Sequence, residues 1–205
     1  MLLDTLMAPT ATGGAGQRTA FRPPAAVTVR RARVADMLQV EPLINGFAKQ
    51  ELMLPKTVEQ LSRNFREFVV AEQGGRIIGC AALRVYTPQL AELGSLAVSE
   101  AAHGLGVGRK LVAAVEAEAE AHGIGTVFAL TLQDVFFHKQ GYRTVPKELF
   151  PLKVWSDCVR CPKNANCDEI AMVLTHHDIP EPKLPHATPT PRGVSIPVLQ
   201  HYEED

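Results

Sequence analysis

Residues 93–122 constrain the fold more than any other part of the chain. Leu93-Gly-Ser-Leu-Ala-Val98 reads as a strand and His103-Gly-Leu-Gly-Val-Gly108 as a glycine turn. An amphipathic helix then runs from about Val107 to His122 and stops at Gly123, a natural left-handed terminus. The first turn of a helix presents N–H groups with no intrahelical acceptor and gathers partial positive charge. Glycines ahead of it let phosphate oxygens reach the main chain. The segment therefore predicts an α/β fold whose ligand is phosphorylated.

The flanking sequence supplies the remaining elements. Val27 to Arg31 alternates as a short strand, and Asp36 is placed to cap a helix carrying Leu38, Leu43, Ile44 and Phe47. Pro55 breaks the pattern between Leu52 and Lys56, and a second helix is expected from Val58 to Arg66. Phe68-Val-Val-Ala71 and Arg76 to Leu83 flank Gln73-Gly-Gly75 as a β-hairpin, and Ala91 to Val98 extends that sheet. Thr126 to Thr131 is a continuous apolar strand of the buried kind, Val135 to Gln140 a short helix closed by Gly141, and Glu169 to Leu174 a last strand. The expected fold is a mixed, mostly antiparallel central sheet flanked by helices. Residues 27–177 form its one domain, with a flexible tail at 1–26. A second tail, 178–205, has prolines at 180, 182, 185, 189, 191 and 197.

Charge and composition narrow the partners. A net charge of -1 with no basic block, RNA-binding aromatic signature or helix-turn-helix pattern argues against nucleic acid. No apolar run approaches bilayer length, and Met1 to Ala8 is interrupted by Asp4 and lacks a basic lead. The expectation is a cytoplasmic protein that acts on small molecules rather than at a membrane.

The order of hairpin, strand, glycine turn, helix, buried strand and Phe136-Phe137-x-x-x-Gly-Tyr142 resembles the GCN5-related N-acetyltransferase superfamily. That superfamily's acetyl-CoA motif is Gln or Arg, any two, Gly, any, Gly or Ala. Here it reads His103-x-x-Gly106-x-Gly108, with histidine at the first position. Finer features are similar to the short, stand-alone N-acetylglutamate synthases. They are Leu54-Pro-Lys56, Gly79-Cys-Ala-Ala-Leu83, Ala91 to Val98, Val127 to Thr131 and Lys153-x-Trp155-x-Asp-Cys158-x-x-Cys161-Pro-Lys. The resemblance implies transfer of an acetyl group from acetyl-CoA to the α-amine of L-glutamate, and it admits a homodimer. That group often carries a basic residue where this chain has Gly94, so another small-molecule or protein amine is a second reading. A non-catalytic module binding CoA or metal is a third.

Acetyl transfer needs a neutral amine beside a thioester carbonyl, and a carboxylate or an ordered water must take the amine's proton. Glu92 is the candidate base; its other reading is a solvated strand carboxylate. The resemblance gives the main chain of Leu96, Ala97 and Val98 to the pantetheine arm. It gives His103, Gly104, Leu105, Gly106, Val107, Gly108 and Arg109 to the diphosphate, and Phe136 and Phe137 to the pocket wall. Many relatives place a tyrosine acid where this chain has Phe137, which has no proton to donate. Lys56 and Arg84 are candidate receptors for substrate carboxylates, with surface charge as the alternative. Cys158, Cys161 and Cys167 supply up to three soft ligands for zinc without specifying a fourth, and otherwise form a reduced, packed loop.

Overall fold

Seven strands build one sheet in the order β1-β2-β3-β4-β5-β7-β6. The strands are β1 (Thr28–Arg31), β2 (Phe68–Gln73), β3 (Arg76–Thr87), β4 (Leu90–Val98), β5 (Thr126–Thr131), β6 (Arg143–Val145) and β7 (Ile170–Thr175). Among the described residues four helices accompany them: α1 (Met37–Ala48), α2 (Val58–Arg63), α3 (Val107–Ala121) and α4 (Asp134–His138). This computed structural model describes residues 25–150, 161, 163 and 166–176. Every neighbouring pair of strands is antiparallel except β4 and β5, which run parallel. The expected tails fall almost wholly outside the described residues.

Side-chain alternation sorts the sheet into two faces. Ala81, Leu83, Ala91, Leu93, Val127 and Ala129 share a cluster with Val107, Leu111 and Val115 of α3. Alternate residues Cys80 and Ala82 face the other way, onto Met37, Val40 and Ile44 of α1. Each of these three α1 side chains is 0% exposed, a burial that stabilises by about 1.5–3 kcal/mol apiece. Further along this second face, Leu90, Phe128, Phe150, Ala171 and Val173 form a separate cluster, with the Phe128 and Phe150 rings stacked at 4.1 Å. Strand periodicity places Arg84, Tyr86 and Glu92 on this same face, between the two apolar clusters.

The hairpin turns where expected, with Gly74 and Gly75 both at positive φ, 59° and 81°. Two expectations need correction. Asp36 does not cap α1: its backbone is already helical and its side chain makes no cap bond to that helix. Its carboxylate instead accepts the Arg33 N–H at 2.6 Å and the Arg30 guanidinium at 2.7 and 2.9 Å. Arg30 also reaches Glu72, which ties β1 to β2. The second helix ends at Arg63 rather than Arg66, and a 3-10 turn over Phe65–Glu67 leads into β2. Its start is set by a reciprocal cap: Thr57 Oγ1 accepts the Gln60 N–H and Gln60 Oε1 accepts the Thr57 N–H.

Candidate active site

β4 and β5 stay paired only from Leu90↔Thr126 to Glu92↔Phe128, after which the strands part. β4 also changes course there. Cys80 opposes Ala97 while Ala82 opposes Gly94, so Ser95 and Leu96 together face one residue of β3. This is a β-bulge, with Ser95 in the left-handed region at φ 51°. The buried Cys80 thiol donates to the Ser95 carbonyl at 3.5 Å. Burial pushes that thiol up to about 12, so it stays a neutral donor. Past the split, the β5-side edge of β4 from Leu93 to Val98 has no strand beside it among the described residues and is open to main-chain hydrogen bonding by a ligand.

The glycine turn stands at the end of this edge. Gly104 and Gly106 have φ of 77° and 71°, and no atom lies within 4 Å of where either Cβ would stand. A side chain there would be strained and would fill the cradle. The N–H groups of Gly104, Gly106, Val107, Gly108 and Arg109 meet no acceptor among the described residues. Five free donors at the start of a 15-residue helix fit a diphosphate. Gly108 lies beside the Phe136 ring, which an added Cβ would meet at an ordinary contact distance of 3.4 Å. The His103 ring does something the sequence did not foretell: its Nε2 bonds the Val98 carbonyl at 2.9 Å, joining turn to strand. A carbonyl only accepts, so Nε2 carries the proton.

Glu92 is buried, at 5% exposure, which overturns the alternative of a solvated strand carboxylate. The Tyr86 hydroxyl donates to its Oε2 at 2.9 Å, and Arg84 Nη1 lies 3.8 Å from the same atom. Arg84 also lies 4.0 Å from Glu67. A carboxylate, a phenol and a guanidinium thus meet at the point where the strands part. Tyr86 was missed by sequence reasoning, although its two-residue offset from Arg84 puts both on one strand face.

Lys56 lies on the α1–α2 connection and lines an open groove of about 420 Å³ with Glu41, Asn45, Pro55, Thr57, Val58, Glu59 and Gln60. Glu92 and Arg84 do not line this groove, so the structure unites Arg84 with Glu92 and leaves Lys56 on the α1–α2 connection. Asn45 fixes the connection: its amide accepts the Lys56 N–H at 3.0 Å and donates to the Lys56 carbonyl at 2.9 Å. No local pattern marks that asparagine in the sequence.

The two phenylalanines of α4 divide their work. Phe136 lies beside Gly108, whereas Phe137 is buried edge-to-face between Phe136 and Tyr142. The Tyr142 hydroxyl is buried close to Glu116 of α3, a juxtaposition the sequence reading also missed, yet neither that hydroxyl nor Glu116 Oε1 has a hydrogen-bond partner among the described residues. Burial pushes the Glu116 carboxyl up to about 7, the neighbouring hydroxyl opposing the shift. No group of three metal-ligating side chains occurs among the described residues. Cys161 and Cys167 are half-buried free thiols, and Cys158 lies outside the described residues. No helix among the described residues is long and apolar enough to cross a membrane.

A bulged strand leaving its parallel neighbour beside a glycine turn sets an open strand edge next to free amides, a site suited to a long ligand that carries both amides and phosphates. Residues 34–142 match the acetyltransferase (GNAT) family, and the chain belongs to it. It is 45% identical over 153 residues to an uncharacterized N-acetyltransferase of Chlorobaculum tepidum, covering 75% of this chain and 99% of that one. It is 30% identical over 135 residues to an amino-acid acetyltransferase of Mycobacterium tuberculosis, covering 64% and 77% of the two chains. Among solved structures, N-acetylglutamate synthase from Neisseria gonorrhoeae, complexed with coenzyme A and N-acetyl-glutamate, superposes with a TM-score of 0.67 at 28% identity. That match covers 75% of this chain and 36% of the gonococcal one, so this chain spans about a third of that relative.

Proposed function

We propose that the protein acetylates the α-amine of L-glutamate with acetyl-CoA, giving N-acetylglutamate for arginine biosynthesis. The observation that carries this reading is the buried Glu92, paired with Tyr86 and Arg84 at the mouth of the strand split. An α-amino acid presents an amine and a carboxylate on adjacent atoms, and Glu92 and Arg84 offer the complementary pair within 4 Å. The relatives named as amino-acid acetyltransferases, and the solved neighbour holding N-acetyl-glutamate, support the same acceptor.

Each part of the site takes a role in this reading. The free amides from Gly104 to Arg109 hold the diphosphate, and the open edge of β4 at Leu96 and Val98 receives the pantetheine amides and polarises the thioester oxygen. Glu92 takes one proton from the amine as nitrogen bonds the acetyl carbon and the C–S bond breaks. Phe137 offers no acid, so sulfur leaves as the thiolate, which its modest basicity allows; solvent protonates it, and Glu92 returns the proton it took to solvent. Arg84 binds the α-carboxylate, and Lys56 serves the side-chain carboxylate from the α1–α2 wall.

Two measurements test this. Calorimetry with coenzyme A should show binding to the purified chain; its absence removes the whole proposal. A thiol-release assay across the amino acids should show CoA released with glutamate in preference to the rest, and release with a different acceptor would replace glutamate as the substrate.

A further inference from the structure

The β3–β4 pairing carries a second bulge, just ahead of the turn at Pro88 and Gln89. Val85 opposes Ala91 and Thr87 opposes Leu90, so Tyr86 is the extra residue on β3. A bulge re-aims the side chain it carries. Here the phenol is aimed at the row of residues that crosses the sheet where the strands part, Arg84↔Glu92 on one side and Glu92↔Phe128 on the other. The Tyr86 ring lies 5.7 Å from the ring of Phe128, which is itself stacked on Phe150 at 4.1 Å. Both phenylalanines are buried, so the phenol rests on a fixed aromatic wall. Its hydroxyl donates to Glu92 Oε2 at 2.9 Å.

A glutamate side chain turns about several bonds, and a base works only within hydrogen-bond reach of the proton it takes. Something must therefore fix the carboxylate. Arg84 stands 3.8 Å from Oε2 and 4.0 Å from Glu67, so its charge is divided between two carboxylates. Those are ion-pair distances, whereas the Tyr86 contact has the length and direction of a hydrogen bond. We infer that Tyr86 is a positioning residue: its hydroxyl, aimed by the bulge and held by the Phe128–Phe150 stack, sets the rotamer in which the Glu92 carboxylate meets the acceptor amine. The phenol keeps its own proton throughout, and the amine's proton goes to Glu92. The inference rests on the transferase reading above, with Glu92 as base, and adds to it a residue that acts through Glu92 alone.

The test is a double-mutant cycle: wild type, Tyr86→Phe, Glu92→Gln and the double variant, each measured for kcat and acetyl-CoA KM by thiol release with the amine wild type uses best. Phenylalanine keeps the ring against Phe128 and removes only the hydroxyl. Tyr86→Phe alone should lower kcat about tenfold or more, through misplacement of the base, and leave the acetyl-CoA KM within about twofold. In the Glu92→Gln background the same change should alter kcat by less than about twofold, because no base is left to position. A merely structural role would lower kcat by the same factor in both backgrounds. That additive result overturns the inference, as does a Tyr86→Phe kcat within about twofold of wild type while Glu92→Gln is impaired. An unimpaired Glu92→Gln removes the base and the inference with it. Wild type that releases no thiol with any amine overturns the transferase reading as well.

Discussion

Replacing Glu92 by glutamine isolates its charge from its shape. The amide oxygen still accepts the Tyr86 hydroxyl, so the 2.9 Å contact survives in neutral form. A hydrogen bond to a charged group contributes about 1.5–3 kcal/mol and a neutral one about 0.5–1.5 kcal/mol, so the substitution costs about 1 kcal/mol there. In a chain this size that lowers Tm by roughly 2–4 °C, leaving the enzyme folded at 25 °C. Catalysis loses more. Without a positioned base, kcat should fall about 10²–10⁴-fold, equivalent to roughly 3–5.5 kcal/mol on the barrier. The assay is thiol release from pH 6 to about 9 with both substrates varied. Glu92→Gln should show the fall in kcat with an unchanged acetyl-CoA KM, and its rate should climb with pH as solvent alone deprotonates the amine. A variant whose kcat stays within about threefold of wild type across that range would refute the role of Glu92 as base.

Three further perturbations read other parts of the molecule. Asp36→Asn removes the charge that Arg30 and the Arg33 N–H hold, at a cost of about 2 kcal/mol near neutral pH, seen as a lower Tm. Those partners hold the Asp36 carboxyl below its usual range, so its stabilisation is complete above the unfolded value of about 3.9 and is lost as pH falls through the folded one; the Tm curves of wild type and variant should converge in acid. Glu116 runs the other way: its carboxyl sits at about 7 in the fold, so ionisation opposes folding and wild-type stability should decline as pH rises from about 4.3 through about 7. Glu116→Gln should flatten that decline, and an unchanged slope in thermal melts would remove Glu116 as its cause. His103→Ala should weaken binding of pantetheine and coenzyme A alike, by about fivefold, because the ring braces the Val98 carbonyl. A loss confined to coenzyme A would assign the ring to the diphosphate instead.

Sequence reasoning succeeded where chemistry is written locally. The glycine turn was legible because positive φ at Gly104 and Gly106 demands glycine, and the α3 helix because its apolar residues recur at helical spacing. The hairpin was legible from paired glycines between alternating strands. Asp36 misled because an acid ahead of a helix is the usual sign of a cap, while Arg30, six residues back, drew the carboxylate away. The bulge at Ser95 was hidden because serine carries no mark of left-handed backbone, and the strain is held by a thiol 15 residues upstream. Asn45 was illegible because its partner is the main chain of Lys56 across an irregular connection, and the nearness of Glu116 to Tyr142 because it arises only once α3 packs beside the chain leading into β6.

The site depends on a strand that must hold its course without a neighbour. Past Glu92, β4 loses its pairing to β5, and an unpaired edge ordinarily frays or seeks another strand. Three contacts keep this one in place. Pairing to β3 continues on the other side as far as Gly79↔Val98, interrupted only by the bulge. The Cys80 thiol holds the bulge by its carbonyl, and the His103 ring holds the final carbonyl of the strand. The two side-chain bonds lie on either side of Leu96 and Ala97, so they fix the direction of the main chain that the pantetheine arm would read. Both donors, an N–H and an S–H, are spent on backbone oxygens rather than on ligand. On this account the departure from Gln or Arg at position 103 exchanges a phosphate contact for rigidity of the edge, and the diphosphate is left to the five free amides that follow.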